Sequence, residues 1–449
     1  MSSRTTKIRA SLCLLAMVAA LSKMHAQTQQ PAGIVNITLD EAIHRAQANE
    51  PAFAASVAES RAAGIDRSIA RAALLPNAVY HNQYLYTQPN GEQNQAGQGV
   101  GSQPSPRFIA NNAVREYASQ ALVNETLGLA GAAEIKHADA AAAFAEAQLE
   151  VARRGLVETI VNLYYGALAA DRKLAVAKRA AAEADAFVDL TQKRETAREA
   201  AHADVIKAQL EQQQRHRDLG DATIAAERAK LELAVLLFPD PRTPYTLQTS
   251  QTIPEVPTRT AVEAAANSNN PDLRSALAAL KQSDAEVLAA RAAYLPDLGL
   301  NVTYGIDAPQ FAVNGPDGVK NLGYSASVTL DIPVWDWLST QHKVKQSEIR
   351  RDAIRVALTA AQRRLIANLE EAYSEATTAH DQLASLDQST QIAAESLRLT
   401  KLRYTGGEAT VLEVVDAQNS LTLAENARED GAVRYATALA NLQTLTGTL

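Results

Sequence analysis

Two stretches decide how this chain is read: Leu298-Gly299-Leu300-Asn301-Val302-Thr303-Tyr304-Gly305-Ile306, and Leu322-Gly323-Tyr324-Ser325-Ala326-Ser327-Val328-Thr329-Leu330-Asp331-Ile332. Apolar and small or polar residues alternate through both, the period of two that belongs to a strand. One face is apolar and the other polar, as in a barrel strand with lipid on one side and water on the other. A soluble antiparallel sheet lying on a core gives the same alternation. The surroundings favour the barrel, because these strands stand alone between long helices in a chain with an export leader.

Just upstream lies Arg291-Ala292-Ala293-Tyr294-Leu295-Pro296, preceded by Asn269-Asn270-Pro271. Both have earlier counterparts, Arg71-Ala72-Ala73-Leu74-Leu75-Pro76 and Asn49-Glu50-Pro51, at an offset of 220. Downstream, Leu190-Thr191 and Arg194 recur as Leu399-Thr400 and Arg403, and Ala208-Gln209 as Ala417-Gln418, now at an offset of 209. The sequence therefore reads as an internal twofold repeat, with eleven extra residues in the first half. They fit the Gly-, Gln-, Asn- and Pro-rich segment Gln88 to Pro106, read as a loop. The boundaries expected are a leader over 1–26, a first repeat over 27–238, a Pro-rich linker over 239–257 and a second repeat over 258–449.

Each repeat reads helix, strand, loop, strand, long helix, turn, helix. The first helix is expected over Leu39–Leu74 and again over Thr260–Tyr294, each stopping before a proline. The strand pairs are expected at 77–87 with 107–123, and at 297–307 with 322–334. In the first pair Tyr80, Tyr84 and Tyr86 share a face, while the return strand alternates poorly. The long helices run from Gly128 to Arg194 and from Trp337 to Arg403, each ~100 Å at ~1.5 Å per residue. Return helices follow over Ala200–Phe238 and Thr410–Leu445. A return helix and the next repeat's first helix, stacked end to end, match one long helix. Four strands cannot close a barrel, for which ~8 is the practical minimum, so the open edges must pair with other chains.

Composition agrees with long, closely spaced helices: apolar residues make up 47% of the 449, many of them Ala, and aromatics only 5%. Arg4, Lys7 and Arg9, the apolar run Leu12 to Leu21, and Ala26 before Gln27 form a secretory signal. Its loss moves the formal net charge from −7 to −11, which argues against nucleic acid. The single cysteine, Cys13, lies in that leader, so no disulfide or thiolate site is expected. No enzyme constellation appears. His44, His81, His137, His202, His216, His342 and His380 are scattered without metal-ligand spacing; no phosphate loop and no nucleophile motif is found. No catalytic residue, metal site or cofactor is expected.

The paired Leu75-Pro76 and Leu295-Pro296, the stretch Leu402-Arg403-Tyr404-Thr405-Gly406-Gly407-Glu408-Ala409-Thr410, and the following Val411 to Gln418 resemble the TolC-type outer-membrane efflux protein family over nearly all of Thr38 to Thr446. The resemblance implies a membrane α+β fold. It implies a homotrimer whose twelve-stranded outer-membrane barrel, four strands per chain, continues as an α-helical tunnel in the periplasm. Its implied partners are outer-membrane lipid, a periplasmic adaptor (membrane fusion) protein and an inner-membrane pump. It implies that the turns Ala197-Arg198-Glu199 and Gly406-Gly407-Glu408 dock the adaptor tip. It implies a periplasmic gate at Glu413 and Asp416, with Asp204 and Tyr404 assisting. Glu413 and Asp416, three apart, share a helical face. In three copies their carboxylates would form a ring that favours cations, whereas a solvated acidic stripe is the plainer reading. The family's latch arginine is replaced by Ala409, so the entrance is expected to be held differently, through Arg198 or Arg403, or to be held less tightly.

The function implied is a passive exit duct for small molecules in a tripartite efflux system. A duct for type I protein secretion or metal-ion export stays open. Met1, Met17 and Met24 are the only methionines, which weakens a copper or silver route. A pore-less periplasmic coiled-coil scaffold is the reading from a different class.

Overall fold

The computed structural model describes residues 35–87, 115–248, 254–315 and 318–448. The leader 1–26, the loop Gln88 to Pro106, the first part of the expected strand at 107–123 and residues 249–253 of the linker lie outside them.

The first half contains β1 (Val35–Ile37), α1 (Leu39–Asn49), α2 (Pro51–Ala72), β2 (Asn77–Tyr86), β3 (Arg115–Leu127), α3 (Leu129–Thr196) and α4 (His202–Leu237). The second contains β4 (Tyr245–Leu247), α5 (Arg259–Asn269), α6 (Pro271–Ala292), β5 (Asp297–Ala308), β6 (Leu322–Asp331), α7 (Ser339–Thr405) and α8 (Val411–Thr446).

The single opening helix expected in each half is in fact two. Pro51 and Pro271 have no N–H to give a preceding turn, and each takes the first position of a new helix. The residues before them, Glu50 and Asn270, leave helical geometry with ψ 115° and 124°. Their side chains cap the new helices, Asn270 Oδ1 accepting from Leu273 N at 2.8 Å. The return strand continues to Leu127, past the expected end at 123, because β5 pairs with it as far as Leu127–Leu298. The linker is not structureless: β4 pairs in parallel with β1, and Tyr164 Oη donates to the Ile37 and Gln248 carbonyls. Ile37, Tyr164, Leu233 and Leu237 build an apolar core under this belt.

The four longer strands form one antiparallel sheet in the order β2-β3-β5-β6. Its register aligns the apolar faces. Tyr80 opposes Ala121, which opposes Tyr304, which opposes Tyr324. Val123, Val302 and Ala326 follow in the next row of that face. The opposite face carries Gln120, Asn124, Asn301, Thr303, Ser325 and Ser327. Tyr84 and Tyr117, direct partners, stack with centroids 4.9 Å apart, a cross-strand pair of the kind that stabilises a sheet.

The helices repeat that order as a second layer of the same wall. α3 packs against α2 and α4 on one side and against α6 and α8 on the other; α7 packs beyond α6 and α8. α3 and α7, 68 and 67 residues, run the full length. Each return helix meets the opening helices of its own half, rather than those of the next. Asn49 Nδ2 donates to the Leu237 carbonyl at 2.7 Å and Asn270 Nδ2 to the Leu445 carbonyl at 2.9 Å. Among the described residues, both edges of this layer stay open. Ile69, Leu210 and Ile224 are exposed on one, and Val356, Ile366 and Ile392 on α7 at the other. No helix among the described residues is long and apolar enough to cross a membrane.

Candidate functional site at the helical tip

At the end opposite the sheet, two turns join α3 to α4 and α7 to α8. In the first, Arg198 N donates to the Glu195 carbonyl at 2.8 Å and Glu199 N to the Arg194 carbonyl at 2.8 Å. In the second, Gly407 N donates to the Tyr404 carbonyl at 3.1 Å and Glu408 N to the Arg403 carbonyl at 2.9 Å. Both are Schellman closures, which satisfy the last carbonyls of a helix and need one left-handed residue. That residue is Gly407 (φ 81°) in one turn and Arg198 (φ 62°) in the other. Ala197 and Gly406 are the C-caps that precede them.

The following helices start on acidic side chains. Glu413 completes a capping box: its backbone N–H donates to Thr410 Oγ1 at 3.3 Å, and its carboxylate accepts from Thr410 N at 3.2 Å. It also pairs with Arg403 at 3.4 Å, and Arg403 donates to the Glu408 carbonyl at 3.0 Å. Asp204 stands at the matching place and accepts from Ala201 N at 3.3 Å. Glu413 and Asp204 are thus tied to their own helix starts. Asp416 is exposed, and no ion pair engages it among the described residues.

Tyr404 does not reach into solvent. It is 4% exposed and packs with Phe187, Val188, Val411 and Val414, its ring centroid 5.3 Å from that of Phe187. Its hydroxyl is buried with no hydrogen-bond partner among the described residues. Over its ring lies the guanidinium of Arg194, 4.8 Å from the centroid, a cation–π contact. Arg194 also donates to the Tyr404 carbonyl and stands 3.6 Å from Glu199. Lys401 reaches Glu183 at 2.9 Å. The tips of the two halves are therefore clasped through Arg194, Tyr404 and Lys401. Sequence reasoning named Arg198 and Arg403 as candidates for holding this end. Arg403 is engaged within its own turn, and no ion pair engages Arg198 among the described residues. Among the described residues Arg194 is the arginine that bridges the halves at this tip; its pairing with Arg403 at the repeat offset was its only sequence signal.

Residues 264–448 match the family described as outer membrane efflux protein. The chain is 27% identical to outer membrane protein OprJ of Pseudomonas aeruginosa over 172 residues, 38% of this chain and 36% of that protein. It is 27% identical to the pyoverdine export outer membrane protein OpmQ of Pseudomonas putida over 290 residues, 60% of this chain and 57% of that one. These alignments span between about a third and three-fifths of the relatives' lengths. In fold, the Campylobacter jejuni CmeC outer membrane channel superposes with a TM-score of 0.77 at 16% identity, over 91% of this chain and 85% of that one.

Proposed function

We propose, for a chain that belongs to the outer membrane efflux protein family, that it is the outer-membrane duct of a tripartite export system. It would passively release small molecules that an inner-membrane pump loads through a periplasmic adaptor. The observation that carries this reading is the open sheet. Most of its large apolar side chains gather on one face, no further strand among the described residues pairs with its outer strands β2 and β6, and four strands are too few to close. A polar face turned to a shared lumen and an apolar face turned to lipid is the arrangement a membrane barrel needs. Exposed apolar residues along both edges of the helical layer support closure by further copies. We take the number as three, which gives a twelve-stranded barrel and a helical tunnel with an internally repeated wall. The matched order and lengths of the elements in the two halves support that repeat: 22 residues in α2 and α6, and 36 in α4 and α8.

Asp416, with Glu413 behind it, would line the narrow end and favour cations there. The turns at Ala197–Glu199 and Gly406–Glu408 would meet the adaptor. The experiment is single-channel recording of the purified oligomer in a planar bilayer. Discrete current steps with cation preference are expected. A preparation that never raises the conductance above that of the bare bilayer contradicts the duct.

A further inference from the structure

Between β6 and α7 the chain runs Ile332-Pro333-Val334-Trp335-Asp336-Trp337-Leu338. Val334 is 87% exposed, Trp335 68% and Trp337 84%. The segment is held in place: Asp336 Oδ2 accepts from Thr340 N at 2.7 Å, and the Asp336 carbonyl accepts from Ser339 N at 3.1 Å. Trp337 and Leu338 take left-handed backbone angles, φ 57° and 64°. The indoles pack edge to face with centroids 5.9 Å apart. Two large amphipathic rings are thus presented to the surroundings by a capped, fixed turn. They continue directly from the strand whose exposed Tyr324, Val328 and Leu330 belong to the sheet's apolar face.

Just beyond, Lys343 and Lys345 are exposed, and neither is in an ion pair among the described residues. The nearest downstream carboxylates are taken: Glu348 by Arg291 at 2.6 Å and Asp352 by Arg351 at 3.1 Å. At ~1.5 Å per residue the lysines sit ~6 and ~9 Å along α7 from its start, the thickness of a headgroup layer below the indoles. The equivalent junction after β3, Leu127-Gly128-Leu129-Ala130-Gly131, has no aromatic residue.

We propose that this junction binds anionic phospholipid of the leaflet bordering the helical shaft. The tryptophans lie at the interface, where indoles partition, and Lys343 and Lys345 pair with headgroup phosphates. The proposal rests on the reading that the apolar sheet face meets lipid.

Trp335 and Trp337 are the only tryptophans in the chain, so intrinsic fluorescence reports on this junction without a label. The full-length oligomer would be reconstituted in phosphatidylcholine vesicles containing a fixed fraction of brominated lipid, either phosphatidylglycerol or phosphatidylcholine. Stronger quenching by brominated phosphatidylglycerol is expected. Lys343→Gln with Lys345→Gln should cut that preference by roughly fivefold per lysine, with quenching by brominated phosphatidylcholine unchanged. Inorganic phosphate in the medium should not compete. Three results would overturn the proposal: equal quenching by both lipids, a preference that the double variant keeps, or a preference abolished by free phosphate. Absence of quenching by either lipid would mean that another copy covers the indoles, which also overturns it. Conductance of the same preparation separates that failure from failure of the duct itself.

Discussion

Arg198 and Gly407 hold corresponding places in two turns with the same hydrogen bonds, yet only glycine takes a positive φ without a steric cost. A single left-handed non-glycine residue costs roughly 1–2 kcal/mol. Arg198→Gly is therefore expected to raise stability by about 1 kcal/mol, after the flexibility that glycine adds to the unfolded chain is subtracted. Gly407→Ala should lower it by a similar amount. Thermal unfolding in detergent reads both, and a destabilised Arg198→Gly would contradict the strain. The acidic pair also separates at this scale. Glu413 caps α8 and pairs with Arg403, so Glu413→Ala should cost about 1 kcal/mol of stability through the cap whatever it does to current. Asp416→Asn removes only a solvent-facing charge. We expect it to reduce cation preference and multivalent-cation block with no change in melting temperature. Unchanged selectivity would take Asp416 out of the narrow end.

Among the elements, the sheet depends on close approach of strands. A Cβ at Gly305 would stand 2.3 Å from the Ser119 carbonyl oxygen and 2.5 Å from Gln120 Cα. Both are backbone atoms of β3 and cannot turn aside. Gly305→Ala should weaken β3–β5 pairing and lower the yield of detergent-stable oligomer on semi-native electrophoresis; a normal yield would refute that. In α3, hydrogen bonding by Arg153 and Arg154 holds the Glu150 carboxyl near a pKa of about 2. Arg154 in turn donates to the Gly447 carbonyl at 3.0 Å, past the end of α8. A carboxyl depressed in the folded state adds stability that is present above its unfolded value, ~4.3. That stability is lost as pH falls from there through about 2. The melting temperature should fall across this window, and less steeply in Glu150→Gln; parallel curves would show that Glu150 is not linked to folding.

These elements also mark how far sequence could be read. β5 and β6 were plain because residue type alternates strictly along them. β3 was not, because Ser119 and Glu125 on its apolar side and Leu122 on its polar side interrupt the pattern, and only pairing with β2 and β5 fixes its frame. The breaks at Pro51 and Pro271 were visible as prolines, but a run of helix formers on both sides hid them. β1 and β4 are three residues each and exist through tertiary pairing, which no local pattern announces. At the tip, the turns were placed by the family resemblance, which gave Glu413 and Asp204 as gate residues and not as the helix caps they form. The Arg194–Tyr404 clasp joins residues 210 apart in sequence and needed the fold.

On the scale of the molecule, the wall is one protomer thick and open at both sides. Strand order and helix order run in the same sense across it, so copies added edge to edge would extend sheet and shaft together. In the duct proposed above, the pore would be a property of the assembly, with each chain supplying an arc. Association is thus what a pore requires, and native mass spectrometry of the detergent-extracted protein reads it. Three copies of the polypeptide in one detergent-dependent particle is the predicted result. A monomer that stays dissolved in buffer without detergent would contradict it.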